Sequence, residues 1–221
     1  IIAFELGGGN GKDGSMLPVC AELASKGYKI VIAGPETINL KGCIEAGQGH
    51  FHQTQPIKNM LPNGRKFFSY ADLLSHAGFL DTKELITGLI NWIDFYKKEK
   101  IDFVISSSSP TAMIAAAICK IKYIAFGLSY GCPPPSHPLP PMYMDMDVPT
   151  DLLEKIESRL LHSFNQALDY FHASPFNHVA DIFGSFEPLL TTVPELDQYP
   201  HRIQGQGHYV GTTYRTKTGS P

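Results

Sequence analysis

The sequence predicts an α/β protein whose parallel sheet is covered on both faces by helices, with a ligand crevice at the carboxyl ends of the strands. Three observations carry this. Short apolar runs alternate with stretches whose apolar residues recur at helical spacing. The connections between most of them are short. A glycine-rich segment, "GGGNGKDGSMLP" (residues 7–18), falls where the first strand turns into the first helix, the place where α/β proteins bind phosphates.

The elements follow in order. Residues 1–6 ("IIAFEL") read as a short buried strand, and residues 16–26 as a helix stopped at Gly27, a residue that takes the left-handed conformation at little cost. A second strand covers 28–34. Residues 35–65 scatter Gly, Pro and Asn and predict mostly loop, with one short strand at 51–54. Over 81–100 the helical period is clear. Asp81 and Glu84 stand like a capping pair, and Leu85, Leu89, Trp92, Ile93 and Tyr96 share one stripe. The strand "IDFVIS" (101–106), the turn "SSSSP", a helix over 111–120 with Pro110 at its first position, and the strand "KYIAFGL" (122–128) complete the clearest alternation. The run "GCPPPSHPLPPM" (131–142) is too proline-rich for helix or interior strand and predicts extended, exposed loop. A long amphipathic helix follows over 151–172. Thr150 is its N-cap, and Leu153, Ile156, Leu160, Phe164, Leu168 and Phe171 form its stripe. A shorter helix closed by Gly184 and a strand-like "PLLTTV" (188–193) come last, before a small polar tail expected to fray.

A chain of 221 residues, 43% hydrophobic, can bury a substantial core, as one large domain or at most two small ones. With a net charge of −3 and no like-charge block longer than Lys97–Lys98, it shows no electrostatic footprint for nucleic acid. The longest apolar stretch, 111–128, is interrupted by Lys120 and Lys122, and the N-terminus lacks the basic-then-apolar layout of a secretory signal; a cytoplasmic chain with no membrane span is expected. Cys20, Cys43, Cys119 and Cys132 form no C-x-x-C pair, and Cys20 and Cys119 read as small hydrophobes inside helices. His50 and His52 make an H-x-H pair, but two side chains without a third ligand do not make a metal site, and none is expected.

Four stretches carry a family resemblance. They are "FELGGGNGKDGSMLPVCAELASKGYKIVIAGPE", "SYADLLSHAGF", "DFVISSSSPTAMIAAAICKIKYIAFGLSYGCPPPSHPLPP", and "TVPELDQYPHR" with "HYVG". Together they resemble the N-terminal half of family 1 glycosyltransferases of the GT-B fold, in particular the macrolide and UDP-glucuronosyl/glucosyltransferase-like group. The resemblance implies an acceptor-side, Rossmann-like domain over residues 1–211, with 212–221 a flexible tail or the start of an interdomain linker. It also implies a small-molecule acceptor and a nucleotide-sugar donor, UDP- or TDP-linked. The donor would be held by a second, C-terminal domain in the same or another chain. No diphosphate-binding signature of that second domain occurs in these residues, so the sequence reads as a fragment or as a protein that needs another chain.

In that family a histidine in the first loop, oriented by an aspartate after a later strand, deprotonates the acceptor. Position by position, the histidine falls on Lys12 and the aspartate on Ser107, so the family's dyad is absent. A lysine starts near pKa 10.4 and is protonated at neutral pH, and Asp13 beside it stabilises the charged form. A charged Lys12 at a helix N-terminus suits an anion. Asp13, or His76 from "LLSHAGF", is the candidate replacement base. Gly9, Asn10 and Gly11 in the first loop, Ser107 and Ser108 after the third strand, and Ser129 after the fourth are expected to line the acceptor pocket. Ser109 reads equally as a helix cap.

Three functions stay open at this stage. One is an acceptor-binding glycosyltransferase domain, and the second a catalytically inactive relative that keeps the pocket, as Lys12 and Ser107 suggest. The third is an NAD(P)-binding oxidoreductase, drawn from G-x-G-x-x-G at Gly9, Gly11 and Gly14 and from Glu36 after the second strand; Pro18, Lys12 and Asp13 crowd the turn that reading needs.

Overall fold

A computed structural model of the chain describes residues 1–5, 10–34, 50–53, 66–184 and 186–212 and, for residues 4, 10–15, 17 and 50–53, the backbone alone. Among the described residues seven strands form one sheet: β1 (Ile2–Phe4), β2 (Val31–Gly34), β3 (His50–Gln53), β4 (Phe103–Ser107), β5 (Lys122–Gly127), β6 (Leu189–Leu190) and β7 (His208–Tyr209). Their order is β3-β2-β1-β4-β5-β6-β7, and every pair is parallel, as the strand–helix alternation predicts. Among the described residues five α-helices accompany them: α1 (Asn10–Ser25), α2 (Tyr70–Leu74), α3 (Thr82–Glu99), α4 (Pro110–Ile118) and α5 (Thr150–Tyr170).

Period-two side chains divide the apolar residues between the sheet's two faces. Ala3, Val31, Ala33, Val104 and Ala125 join the large core beneath α3, α4 and α5. Ile2, Ile32 and Phe126 join Met16 and Cys20 of α1 on the opposite face. The stripe of α3 is buried as its spacing requires: Leu85, Leu89, Trp92, Ile93 and Tyr96 all face the core, each contributing roughly 1.5–3 kcal/mol. Its start is fixed by Asp81, whose carboxylate accepts from the N–H groups of Lys83 at 3.1 Å and Glu84 at 3.2 Å. On α5, Leu153, Leu160, Phe164 and Leu168 are buried, while Ile156 and Phe171 are half-buried against the same core. Phe164 meets Phe79 edge-on at 6.1 Å.

Three expectations are corrected. α1 begins at Asn10, six residues before the expected start, so the second half of the glycine-rich segment is helix rather than loop; its far end agrees, with Gly27 at φ +83. Thr150 is the first residue of α5, and the capping position falls on Pro149, with no side-chain cap. The segment 131–142 is extended but not exposed: Gly131, Cys132, Pro133, Pro134, Leu139 and Met142 are buried, and only 135–137 face water. Proline removes the N–H groups that burial would otherwise leave unsatisfied, so such a run can be buried without a ladder. The shorter helix is a 3₁₀ turn, Val179–Phe183, closed by Gly184 at φ +72 as expected. The strand expected at 51–54 is β3, whereas the loop expected around it and the tail lie outside the described residues.

Candidate functional site

The chain winds from β1 toward β2 and β3 on one side and from β4 toward β5 on the other. The strand order therefore reverses between β1 and β4, and their carboxyl ends flank the crevice where sheets of this kind take ligands. Phe4 pairs with Ser107, which sets Glu5, the next residue of the chain, beside the turn after β4.

Glu5 is buried, and sequence reasoning missed it. Its carboxylate accepts from the Thr111 N–H at 2.8 Å and from the Ser109 hydroxyl at 3.5 Å. The first turn of α4 is thus capped by a residue from another strand, and the serine expected as the cap makes no side-chain cap bond of its own. Burial pushes the Glu5 carboxyl up to about 7, partly offset by the donors from Thr111 and Ser109. The signal available in the sequence was an acidic residue inside an apolar strand segment, where a carboxylate needs a partner.

The serines of the turn are brought together at the ends of β4 and β5. Ser106 Oγ donates to the Ser109 carbonyl and accepts from the Ser109 N–H, both at 3.1 Å, so it is spent on the turn itself. Ser107 is buried beside Gly127. Ser108 is half-buried with φ +53, and its hydroxyl approaches Gly131 closely enough that a Cβ there would stand 3.0 Å away. Ser129 is buried, and its hydroxyl accepts from the Gln198 N–H at 3.4 Å. Tyr70, at the start of α2, is buried with no hydrogen-bond partner for its hydroxyl among the described residues. Burial raises its pKa, with Cys132, Tyr130 and Glu5 adding to the shift.

His76 lies in a π-helical turn (Ser75–Phe79) that continues α2. Its Nδ1 stands 2.9 Å from the Asp72 carbonyl and 3.2 Å from Asp72 Oδ1. Both partners only accept, so Nδ1 carries the proton and the neutral ring keeps its lone pair on Nε2. Asp72 is buried and also accepts from the Phe68 N–H at 3.0 Å, while the His76 side chain is one-third exposed. The ring lies 5.8 Å from Phe67. An accessible imidazole whose Nδ1 is held by the Asp72 carbonyl, with the buried Asp72 carboxylate beside it, is an arrangement for general-base work.

Asn10, Gly11, Lys12 and Asp13 occupy the first turn of α1, downstream of β1. The side chains of Lys12 and Asp13, the loop residue Gly9, Cys43, Glu36 and the side chains of His50 and His52 lie outside the described residues. No disulfide joins the described cysteines, and among the described residues no three His, Cys, Asp or Glu side chains are grouped to hold a metal. Among them, too, no helix is long and apolar enough to cross a membrane. A cavity of about 480 Å³ lies at the amino ends of β1, β2 and β4, lined by Leu23, Ile30, Ile101 and Phe103, and shares no residue with the candidate site.

Beyond the carboxyl ends of β5–β7 a buried ion pair ties the end of the described chain to the rest. Arg202 Nε donates to Asp197 Oδ2 at 2.7 Å, and its other nitrogens donate to the carbonyls of Gln206 at 2.6 Å and Cys132 at 2.8 Å. Burial pushes the Asp197 carboxyl up, but donors from Tyr209, the Tyr199 N–H and Arg202 outweigh it and hold the group below the usual range. Leu128, Val193, Leu196, Ile203 and Val210, around the same strand ends, are exposed.

The fold is the Rossmann-like N-terminal domain of the GT-B architecture found in glycosyltransferases. It is similar to SsfS6, a glycosyltransferase of Streptomyces sp. SF2575 (15% identity, TM-score 0.51, 94% of this chain and 53% of that one). It is also similar to the glycosyltransferase of kitacinnamycin (12%, TM-score 0.61, 99% and 53%) and to the calicheamicin glycosyltransferase CalG4 (12%, TM-score 0.59, 96% and 52%). The chain spans about half the length of these relatives in structure. No family profile matches it, and no curated protein matches it in sequence.

Proposed function

We propose that the chain is the acceptor-side half of a nucleotide-sugar-dependent glycosyltransferase acting on a hydroxyl of a small molecule, with His76 as general base and Asp72 as the residue that orients it. The observation that carries this is the Asp72–His76 pair, which supplies a base and its carboxylate where the expected positions offer Lys12 and Ser107. In the reaction the acceptor oxygen attacks the anomeric carbon as its proton passes to His76 Nε2. The bond from that carbon to the diphosphate breaks, and a nucleoside diphosphate leaves. Ser107, Ser108 and Ser129, with Asn10 and Gly11 at the start of α1, line the acceptor side. A protonated Lys12 in the first turn of α1 attracts the diphosphate.

The donor, a TDP- or UDP-sugar, is bound by a second domain that follows residues 212–221 or belongs to another chain. Solved structures of SsfS6, the spinosyn rhamnosyltransferase SpnG and VinC hold thymidine diphosphate, which supports the donor class. The exposed apolar residues past β5–β7 are the surface we assign to contact with that domain.

The test is glycosyl transfer by the full-length protein from TDP-glucose and UDP-glucose to a panel of phenolic and macrolide hydroxyls. His76→Ala is expected to lower kcat by about 10²-fold or more, and Asp72→Asn by a smaller factor, with circular dichroism unchanged. A parent-like rate in His76→Ala would sink the assignment of the base. The second reading, an inactive relative that binds without transfer, is favoured by Lys12 and Ser107 standing at the family's catalytic positions; it predicts acceptor binding by calorimetry with no turnover in the parent.

A further inference from the structure

The proline-rich strap, residues 131–142, is held near its start, in its middle and at its end, where the Met142 carbonyl also accepts from Gln198 Nε2 at 2.8 Å. Near its start the Cys132 carbonyl accepts from Arg202 Nη2 at 2.8 Å, and at its end the Met142 N–H donates to the Phe68 carbonyl at 2.9 Å. In the middle it is fastened to one buried carboxylate on α5. Glu157 is 1% exposed and accepts from the Leu139 N–H at 2.8 Å, the Val179 N–H at 3.3 Å and His137 Nδ1 at 3.2 Å. Because a carboxylate only accepts, His137 Nδ1 carries the proton. The groups facing His137 are Glu157 from α5 and the ring of His178, 4.4 Å away between centroids. Behind His178 stands Asp181, whose carboxylate accepts from the His178 N–H at 3.0 Å.

Among the described residues no lysine or arginine pairs with Glu157, and His137 is the side chain beside it that can carry a positive charge. A buried carboxylate left with neutral donors alone is costly, and histidine is the side chain that gains or loses its proton between pH 5 and 8. The far end of the strap leads to the dyad: Phe68, which receives Met142, donates its own N–H to Asp72 Oδ2 at 3.0 Å.

We propose that His137 and Glu157 form a pH-operated clasp on the strap, and that the strap regulates the Asp72–His76 pair. The clasp is tight when His137 is protonated and loosens as pH rises and the ring becomes neutral, which frees the Phe68 segment that fixes Asp72. The regulatory half of this rests on the reading of His76 as the base; the clasp does not.

The experiment is amide hydrogen exchange by NMR on the ¹⁵N-labelled full-length protein at pH 6 and pH 8, corrected for the intrinsic pH dependence of exchange. In the parent, protection of the Leu139 and Met142 amides is expected to fall about tenfold from pH 6 to pH 8, as the His137–Glu157 ion pair becomes a hydrogen bond from a neutral ring. Leu89 in α3 is the unchanged control. His137→Gln and Glu157→Gln, which each keep a hydrogen-bonding group, are expected to abolish the pH dependence. The Cε1–H resonance of His76 is expected to follow the clasp transition in the parent and to lose that component in His137→Gln. Protection that is the same at both pH values in the parent, or a pH dependence that persists in His137→Gln, overturns the clasp. A working clasp to which His76 is indifferent overturns the regulation. None of these measurements requires turnover, so failure of the glycosyltransferase reading is registered separately, by the transfer assay.

Discussion

The Thr111 N–H donates to the Glu5 carboxylate at 2.8 Å, joining the end of the first strand to the first turn of a helix 106 positions later. One buried acid therefore closes the crevice between β1 and β4 and caps α4. Its partners are neutral, and this gives the bond a definite pH dependence.

Burial raises the Glu5 carboxyl to about 7 from 4.5. A raised carboxyl contributes stability that is fully present below the unfolded value and is lost as pH rises through the folded one. The loss is on the order of 3 kcal/mol between pH 4.5 and 7. Urea unfolding across that range should show it, and Glu5→Gln, which keeps an acceptor for Thr111, should flatten the profile and be more stable than the parent at pH 8. A variant whose profile parallels the parent's contradicts the assignment.

Removing Arg202 leaves Asp197 buried without its cation. Arg202→Met is expected to cost roughly 3–5 kcal/mol in chemical denaturation. Arg202→Lys should recover only part of this, because a compact ammonium lacks the planar fork whose three nitrogens reach Asp197, Gln206 and Cys132. Full recovery by lysine would show that charge alone matters here.

Gly184 closes the 3₁₀ turn with φ +72, and a Cβ there would stand 2.9 Å from the Tyr123 ring. Gly184→Ala combines backbone strain with a clash against a buried side chain, and a loss of about 2 kcal/mol or more is expected in thermal or urea unfolding. Stability equal to the parent would mean that Tyr123 gives way freely.

Asp81 caps α3 through two N–H groups. Asp81→Ala should destabilise by about 1 kcal/mol, and Asp81→Asn, which retains an acceptor, by less. The comparison by urea midpoint fails if both cost the same.

The sheet and α3 were legible because their information is local. Asp81, Leu85, Leu89, Trp92 and Tyr96 declare a start and a face within one stretch of chain. The start of α1 was not legible, because Gly11 and Gly14 have poor helix propensity and read as loop. Nor was Glu5, whose partner is 106 positions away, although a carboxylate in an apolar run was itself a warning. The same holds for Glu157, which sits four residues after Leu153 and three before Leu160 on the apolar stripe of α5. Asp72 and His76, at i,i+4 spacing, could have been paired from the sequence, yet His76 was weighed alone. The burial of the strap depends on Glu157, Arg202 and Phe68, none of which lies in the strap.

β1 lies between β2 and β4, and its partner on one side is synthesised only after about a hundred further residues. On a ribosome, a chain cut off before residue 107 holds the glycine-rich segment and α1 but has no far wall for the crevice. Glu5 then ends a strand with one neighbour, and its carboxylate faces water instead of Thr111. The site therefore appears in one step, when β4 and the first turn of α4 dock. Until that moment the growing chain carries an unpaired strand edge for which a chaperone or another nascent chain can compete.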